Sequence, residues 1–226
     1  KVVDLSRIES LRGISEDGDS IVIGAMTTHH EVATSDLVKE HAAVLADAAG
    51  TVADPQIRHR GTLGGALVHA DPAGDLGAPI LALDAELVVA GSGGERRIPA
   101  GEFFADLFET AVAEDELLTA IRIPKHTGWG HAYEKFVRVS HQWSIVAVAA
   151  VAKDGEAKIG LTNMGSTPLR ATAVEEALAA GASAEDAAAR AAEGTNPPSD
   201  LNGDSEYRAH LARVLTRRAL ARAMGE

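Results

Sequence analysis

The sequence contains no cysteine. That excludes disulfides, thiol catalysis and iron–sulfur ligation by this chain, so any iron–sulfur centre it works with belongs to another polypeptide. Aromatic residues are scarce, at 4% of the chain; each ring is therefore worth locating, because flat ligands are commonly held by stacking. Basic residues are outnumbered, with 21 Lys and Arg against 33 Asp and Glu, for a net charge of -12. Nucleic acid or an anionic membrane surface would have to be approached against that repulsion. No apolar run reaches the length of a membrane span and no signal peptide is visible. Catalytic signatures are missing too. There is no Gly-x-Ser-x-Gly elbow, no His-Glu-x-x-His helix, no Gly-x-Gly-x-x-Gly opening a helix and no Gly-Lys-Ser/Thr of a P-loop.

What is present concentrates between Gly50 and Leu83, in GTVADPQIRHRGTLGGALVHADPAGDLGAPILAL. Gly61, Gly64 and Gly65 surround Thr62, with Arg58 and Arg60 beside them. Glycines let a backbone approach a ligand closely and turn its amides outward, a threonine hydroxyl can bond a phosphate oxygen, and the arginines supply positive charge. Asp71-Pro72 fixes a turn, Asp75 is an acceptor, and the apolar run from Leu76 reads as a short helix. By themselves these residues leave a pyrophosphate cradle and an ordinary tight turn both open.

Along the rest of the 226 residues, which are enough for one large domain or two modest ones, alternating patterns predict strands. They fall at Val2 to Leu5, Leu11 to Ile14 and Ile21 to Ala25, the last two joined across Asp17-Gly18, then at Ala85 to Ala90, Glu95 to Ile98 as a charged edge, and Leu117 to Ile123. Thr28-x-x-Glu31 is a capping box for a helix from His29, Ser35 caps a second, and His41 to Ala49 forms a third. Glu102 to Leu107 reads as a short helix. His29 and His30 adjoin, but neighbours on a helix point about 100° apart, so they make a poor chelating pair. Pro124 is followed by Lys, His and Gly within Lys125 to Trp129, a cluster that places a domain boundary near there, dividing residues 1–125 from 126–226. Beyond it, strands are expected over Ala132 to Val139, Ser144 to Ala152 and Ala157 to Thr162, with a hairpin at Asp154-Gly155. Thr172-x-x-Glu175 and Ser183 are expected to cap helices, and Asn196-Pro197-Pro198-Ser199 breaks the chain. The last helix, Ser205 to Ala223, carries an apolar stripe and the arginines Arg208, Arg213, Arg217 and Arg222 on a face expected to be solvated or interfacial.

The whole segment GTVADPQIRHRGTLGGALVHADPAGDLGAPILALDAEL closely resembles the second flavin-binding motif of the FAD-binding medium subunits of molybdenum hydroxylases, a family that includes aerobic carbon monoxide dehydrogenase. The resemblance continues through IVIGAMTTHHEV, AYEKF and LTNMGSTPLRA to YRAHLARVLTRRAL, and so covers essentially the whole chain. It implies an α+β fold. A vanillyl-alcohol-oxidase-like FAD-binding lobe, a mixed sheet with helices, is followed by a three-stranded antiparallel sheet packed on a small helical bundle. Members of the family also have an N-terminal lobe with an Ala-Gly-Gly pyrophosphate loop; the chain begins at Lys1, without methionine, and lacks that motif.

The resemblance assigns roles residue by residue. Thr62, Gly64 and Gly65 match phosphate-contacting positions, and Ala66 follows where a backbone contact suffices. Asp75 corresponds to a sugar-bonding residue, Leu118 to an apolar wall, Lys135 to a cation near the flavin ring, and Trp143 to an aromatic close to the isoalloxazine. On residue type alone, Asp75 also suits a helix cap, Lys135 a surface lysine and Trp143 the core. His59 stands where relatives usually carry Asn, while His69 and Asp71 are assigned to shaping their loop. The expected activity is redox relay. FAD on this chain passes electrons, received through iron–sulfur clusters in a small subunit from a molybdenum cofactor in a large one, to an external acceptor. The expected assembly is a cytoplasmic dimer of heterotrimers. Related hydroxylases acting on aldehydes, xanthine or N-heterocycles, and a flavin-free scaffold that keeps the fold, are the other readings.

Overall fold

The structure is a computed structural model and describes residues 2–225. β1 (Ile14–Asp17) and β2 (Ser20–Gly24) form the predicted hairpin, turning at Gly18 with a positive φ of 58°. The first strand starts later than expected because Glu9–Leu11 coils into a 3-10 turn. The strand predicted at Val2 to Leu5 does not form: no described strand pairs with it, the Leu5 carbonyl accepts from the Ile8 amide at 3.1 Å in a turn, and Val2 and Val3 are exposed. A strand needs a neighbour for its backbone groups, whatever its pattern.

Helix α1 (His29–Thr34) has the predicted capping box, with Thr28 Oγ1 accepting from the Glu31 amide and Glu31 Oε2 accepting from the Thr28 amide at 2.7 Å. Ser35 caps α2 (Asp36–His41), and α3 (Ala43–Thr51) begins after a break at Ala42 rather than at His41. Three short helices follow, α4 (Pro55–Arg58), α5 (Leu63–His69) and α6 (Gly77–Ala82). Next come β3 (Glu86–Gly91) and β4 (Gly94–Pro99). The helix expected over Glu102 to Leu107 is instead a single turn, α7 (Ala100–Phe103), that runs into the small hairpin of β5 (Phe104–Asp106) and β6 (Glu109–Thr110). Burial of Phe103 anchors the turn, and the chain then pairs with itself instead of coiling on.

β7 (Glu116–Pro124) closes an antiparallel sheet in the order β1-β2-β7-β3-β4, with the charged β4 at one edge as predicted. The alternation read along Leu117 to Ile123 is interrupted. The register against β3 shifts between Val88 and Val89, which pair with Ala120 and Leu118, leaving Thr119 as an extra residue. That bulge turns both Leu118 and Ile121 into the core despite their odd spacing.

The second sheet holds the three expected strands, β8 (Gly130–Phe136), β9 (Val146–Lys153) and β10 (Glu156–Thr162), plus the two-residue β11 (Leu169–Arg170) on the edge beside β10. β9 reads as a continuous apolar run because both its faces are covered. Ala147, Ala149 and Val151 join the core shared with the first half, while Val146, Val148 and Ala150 face α8 (Thr172–Ala179), α9 (Ala184–Ala188) and α10 (Ser205–Met224). The two halves meet closely. At Gly160 a Cβ would lie 2.1 Å from the Ala78 carbonyl oxygen, so only glycine lets α6 rest directly on β10.

Two helix readings are corrected. Thr172 does not cap α8, because Glu175 turns to Arg170 and to the Ile159 amide at 2.7 Å. Arg208 is not on a solvated face; it is fully buried, donating to the Ile145 carbonyl at 2.5 Å and to Asp200 at 2.7 Å.

Candidate cofactor site

The glycine-rich loop is zipped onto the segment that precedes α1. The Gly61 carbonyl accepts from the His29 amide at 3.0 Å, while Leu63 and Gly64 donate to the carbonyls of Thr27 and Ala25, both at 2.9 Å. Thr62 then caps α5, its hydroxyl oxygen accepting from the Gly65 amide at 3.1 Å, and its carbonyl accepts from Ala66 at 3.0 Å. Arg60 and Gly61 donate to the Ile57 carbonyl at 3.0 and 2.7 Å. Every amide from Arg60 to Ala66 except that of Thr62 thus has an internal partner, and of the outward-turned amides expected from the sequence only that of Thr62 is left free among the described residues. The glycines serve close packing instead. A Cβ on Gly64 would lie 2.5 Å from the Cβ of Ala25, one on Gly61 2.8 Å from His29 Nε2, and one on Gly65 2.8 Å from Thr62 Oγ1.

Above this loop lies a cleft of about 580 Å³, lined mostly by apolar atoms. Its size falls within the range of roughly 300–1,000 Å³ typical of small-molecule sites. Thr62, Gly65, Ala66, Asp75 and Trp143 all line it, so five of the eight residues singled out from the sequence converge. Trp143 is 59% exposed and stands over the cleft rather than in the core, its Cζ3 3.9 Å from where a Gly74 Cβ would be. Gly64 is buried one step behind the wall; Leu118 lies in the sheet core and does not line the cleft.

Asp75 and Lys135 bond each other, Lys135 Nζ to Asp75 Oδ2 at 2.8 Å, with both side chains nearly buried. Lys135 also donates to the Thr51 carbonyl at 3.2 Å. It is therefore no surface lysine, and it is not among the residues lining the cleft. Asp75 does not cap α6, whose N-cap residue is Leu76. Its Oδ1 accepts from the Tyr133 hydroxyl at 2.8 Å and from Ser144 Oγ at 2.9 Å. Burial, reinforced by the Asp75 carboxylate, pushes the Tyr133 hydroxyl well above the usual phenol range and keeps it a donor. Tyr133 and Ser144 were not singled out from sequence. The available signal was the two-residue spacing of Tyr133 and Lys135, which puts both on one face of a strand.

Two more residues complete the setting. His29 is buried at the cleft floor with Nδ1 unpartnered, and burial, aided by the Arg58 charge, holds its imidazole down to about 4. Asp71 shapes its loop as expected, its Oδ1 accepting from the Ala73 amide at 2.9 Å. His69 lines the cleft and packs against the Phe108 ring, centroids 5.2 Å apart. Among the described residues no cluster of His, Asp or Glu could hold a metal, and no helix is long and apolar enough to cross a membrane.

The groups lining the cleft suit a dinucleotide that carries a flat ring system. The missing Gly65 side chain leaves the wall open, the Thr62 hydroxyl keeps its proton free to donate, and Trp143 supplies an exposed ring. The fold and cleft together define a ligand-binding chain in which a glycine-loop lobe is backed by a helix-covered sheet. A family described as "FAD binding domain in molybdopterin dehydrogenase" matches residues 1–126, and one described as "CO dehydrogenase flavoprotein C-terminal domain" matches residues 131–223. The carbon monoxide dehydrogenase medium chain of Hydrogenophaga pseudoflava is 37% identical over 97% of this chain and 80% of its own length. That of Afipia carboxidovorans is 40% identical over 98% of this chain and 81% of its own. A structure of the H. pseudoflava carbon monoxide dehydrogenase superposes with a TM-score of 0.94 at 39% identity, covering 98% of this chain and 81% of that one. The chain belongs to the family of FAD-binding medium subunits of molybdenum hydroxylases.

Proposed function

We propose that this chain is the electron-transfer flavoprotein subunit of a molybdenum hydroxylase of the carbon monoxide dehydrogenase type. The carrying observation is the convergence of Thr62, Gly65, Ala66, Asp75 and Trp143 on one apolar cleft. FAD, when bound, supplies the redox chemistry that links iron–sulfur clusters to an external acceptor. The residues present do the holding. Thr62 offers a hydroxyl proton, Gly65 and Ala66 leave room along α5, and the Trp143 ring covers the open side. Lys135 neutralises the buried Asp75 carboxylate behind the cleft wall, so that Asp75 does not present an uncompensated negative charge to an anionic cofactor. Gly64 contributes by close packing and Leu118 by filling the sheet behind the loop.

The partners in this reading are a large molybdenum-cofactor subunit and a small iron–sulfur subunit, in a cytoplasmic dimer of heterotrimers. The absence of cysteine from the chain supports placing the clusters elsewhere. Residues 1–125 form the FAD-binding unit and 126–226 the C-terminal one.

A second reading, a flavin-free scaffold, draws on the loop amides and on Asp75, nearly all of which have partners without any ligand. Titrating the purified full chain with FAD while recording its visible spectrum separates the two. The flavoprotein reading expects a saturable shift in the flavin bands that Gly65→Val abolishes while circular dichroism stays native. A native wild-type protein that takes up no FAD leaves the scaffold.

A further inference from the structure

The charge of a bound diphosphate has to be met by something, and the loop itself has little left to meet it with. The first-turn amides of α5 are bonded to Thr27, Ala25 and the Thr62 side chain and carbonyl. Of the nearby cations, Arg58 donates to the carbonyls of Val52 and Ala53 at 2.8 and 3.1 Å, so it braces the turn at Ala53, where φ is positive. Lys135 is tied to Asp75 and Thr51. Arg60 differs. It is the one lysine or arginine among the residues lining the cleft, it is exposed, and among the described residues its guanidinium forms no hydrogen bond or ion pair.

We infer that Arg60 is the principal diphosphate-binding residue contributed by this chain, setting its preference for a dinucleotide flavin over the unphosphorylated ring system. This rests on the flavoprotein reading above. The side chain sits beside Thr62, so one phosphate can accept a hydrogen bond from the Thr62 hydroxyl while the guanidinium fork holds the other, a fork suited to phosphate oxygens. Two carboxylates, Asp71 and Asp75, also line the cleft; Asp75 is compensated by Lys135, and Asp71 is engaged with the Ala73 amide. Asp4 lies within electrostatic reach of Arg60 but bonds the Ser6 amide and hydroxyl instead, so Arg60 keeps its donors free and is the cation that the cleft wall itself presents.

The test compares three ligands by titration calorimetry on the full chain: FAD, ADP, which keeps the diphosphate without the flavin, and riboflavin, which keeps the ring without phosphates. Replacing Arg60 by Met is expected to weaken FAD and ADP roughly 10- to 100-fold, the scale of a charge-assisted bond, while leaving riboflavin unchanged. The salt dependence of FAD binding should flatten in Arg60→Met and be largely restored in Arg60→Lys. Retention of FAD affinity within about twofold in Arg60→Met overturns the inference, as does equal weakening of riboflavin and FAD, which would report a deformed cleft. A folded wild-type protein that binds none of the three ligands instead refutes the flavoprotein reading, and this inference falls with it.

Discussion

The buried arginine of α10 gives a prediction in which the more exposed partner matters more. Arg208 is essentially sealed, with 1% of its side chain exposed, whereas 46% of Asp200 is exposed. Replacing Arg208 by Met removes the charge and keeps most of the volume. It leaves the Ile145 carbonyl without its 2.5 Å donor, and Asp200 free to hydrate. One orphaned buried acceptor costs about 1–3 kcal/mol. Replacing Asp200 by Ala strands a fully buried guanidinium with only carbonyl partners, a change worth about 3–5 kcal/mol, reduced toward the lower end by water entering the vacated position. For a chain of this length each kcal/mol moves Tm by about 2–4 °C. Asp200→Ala should therefore melt on the order of 10 °C below wild type, and Arg208→Met by roughly half as much. The double variant should resemble Arg208→Met alone, since the stranded charge is gone. Urea and thermal melts of the four proteins supply the numbers. An Asp200→Ala protein more stable than Arg208→Met would refute the reasoning, because the charge would then not be sealed.

His29 makes stability depend on pH. Its folded pKa of about 4 lies below the ordinary 6.5, so as pH falls the unfolded chain takes the proton first. The full contribution is present above 6.5 and is lost between 6.5 and 4, amounting to about 3 kcal/mol. Subtracting urea melts of His29→Gln from those of wild type across that window should reveal this slope; parallel curves would show that the imidazole is hydrated. Two glycines should respond oppositely to alanine. Gly64→Ala drives a Cβ into Ala25 and should lower Tm together with FAD uptake, whereas Gly50 in α3 faces open space and should gain about 0.5–1 kcal/mol. Equal effects in thermal melts would mean that the Gly64 contact relaxes without strain.

Much of this architecture is legible in the sequence where a local rule decides the outcome. The Thr28–Glu31 box, the Ser35 and Ser183 caps and the Asp154-Gly155 hairpin, with both residues at positive φ, are set by side chains within a few positions of one another. The misses come where a distant partner decides. Glu175 abandons a capping box for Arg170 and the Ile159 amide, Thr119 bulges so that Leu118 and Ile121 share a face, and Val2-Val3 has no described strand to join. At the site, resemblance picks out residues that the structure brings together, but not what they bond. Asp75 and Lys135 sit 60 positions apart and meet each other, and nothing in local pattern shows that the loop amides turn inward.

These long-range bonds explain why a cleft whose loop lies in the first third of the chain depends on its last helix. Arg208 on α10 fixes the Ile145 carbonyl at the entrance to β9. The preceding residue, Ser144, is held from two sides, its carbonyl by Asn163 Nδ2 at 2.9 Å and its hydroxyl by Asp75 at 2.9 Å. Trp143, one residue further back, is thereby presented over the cleft although its own ring is largely exposed. Asp75 is the meeting point, receiving Tyr133 and Lys135 from β8 and Ser144 from beside β9. A carboxylate this buried is tolerable only with such donors, and all three come from the second half of the chain. The wall of the cleft is therefore complete only when the second sheet has docked on α6, which couples formation of the site to folding of the whole chain rather than of its glycine-rich loop alone.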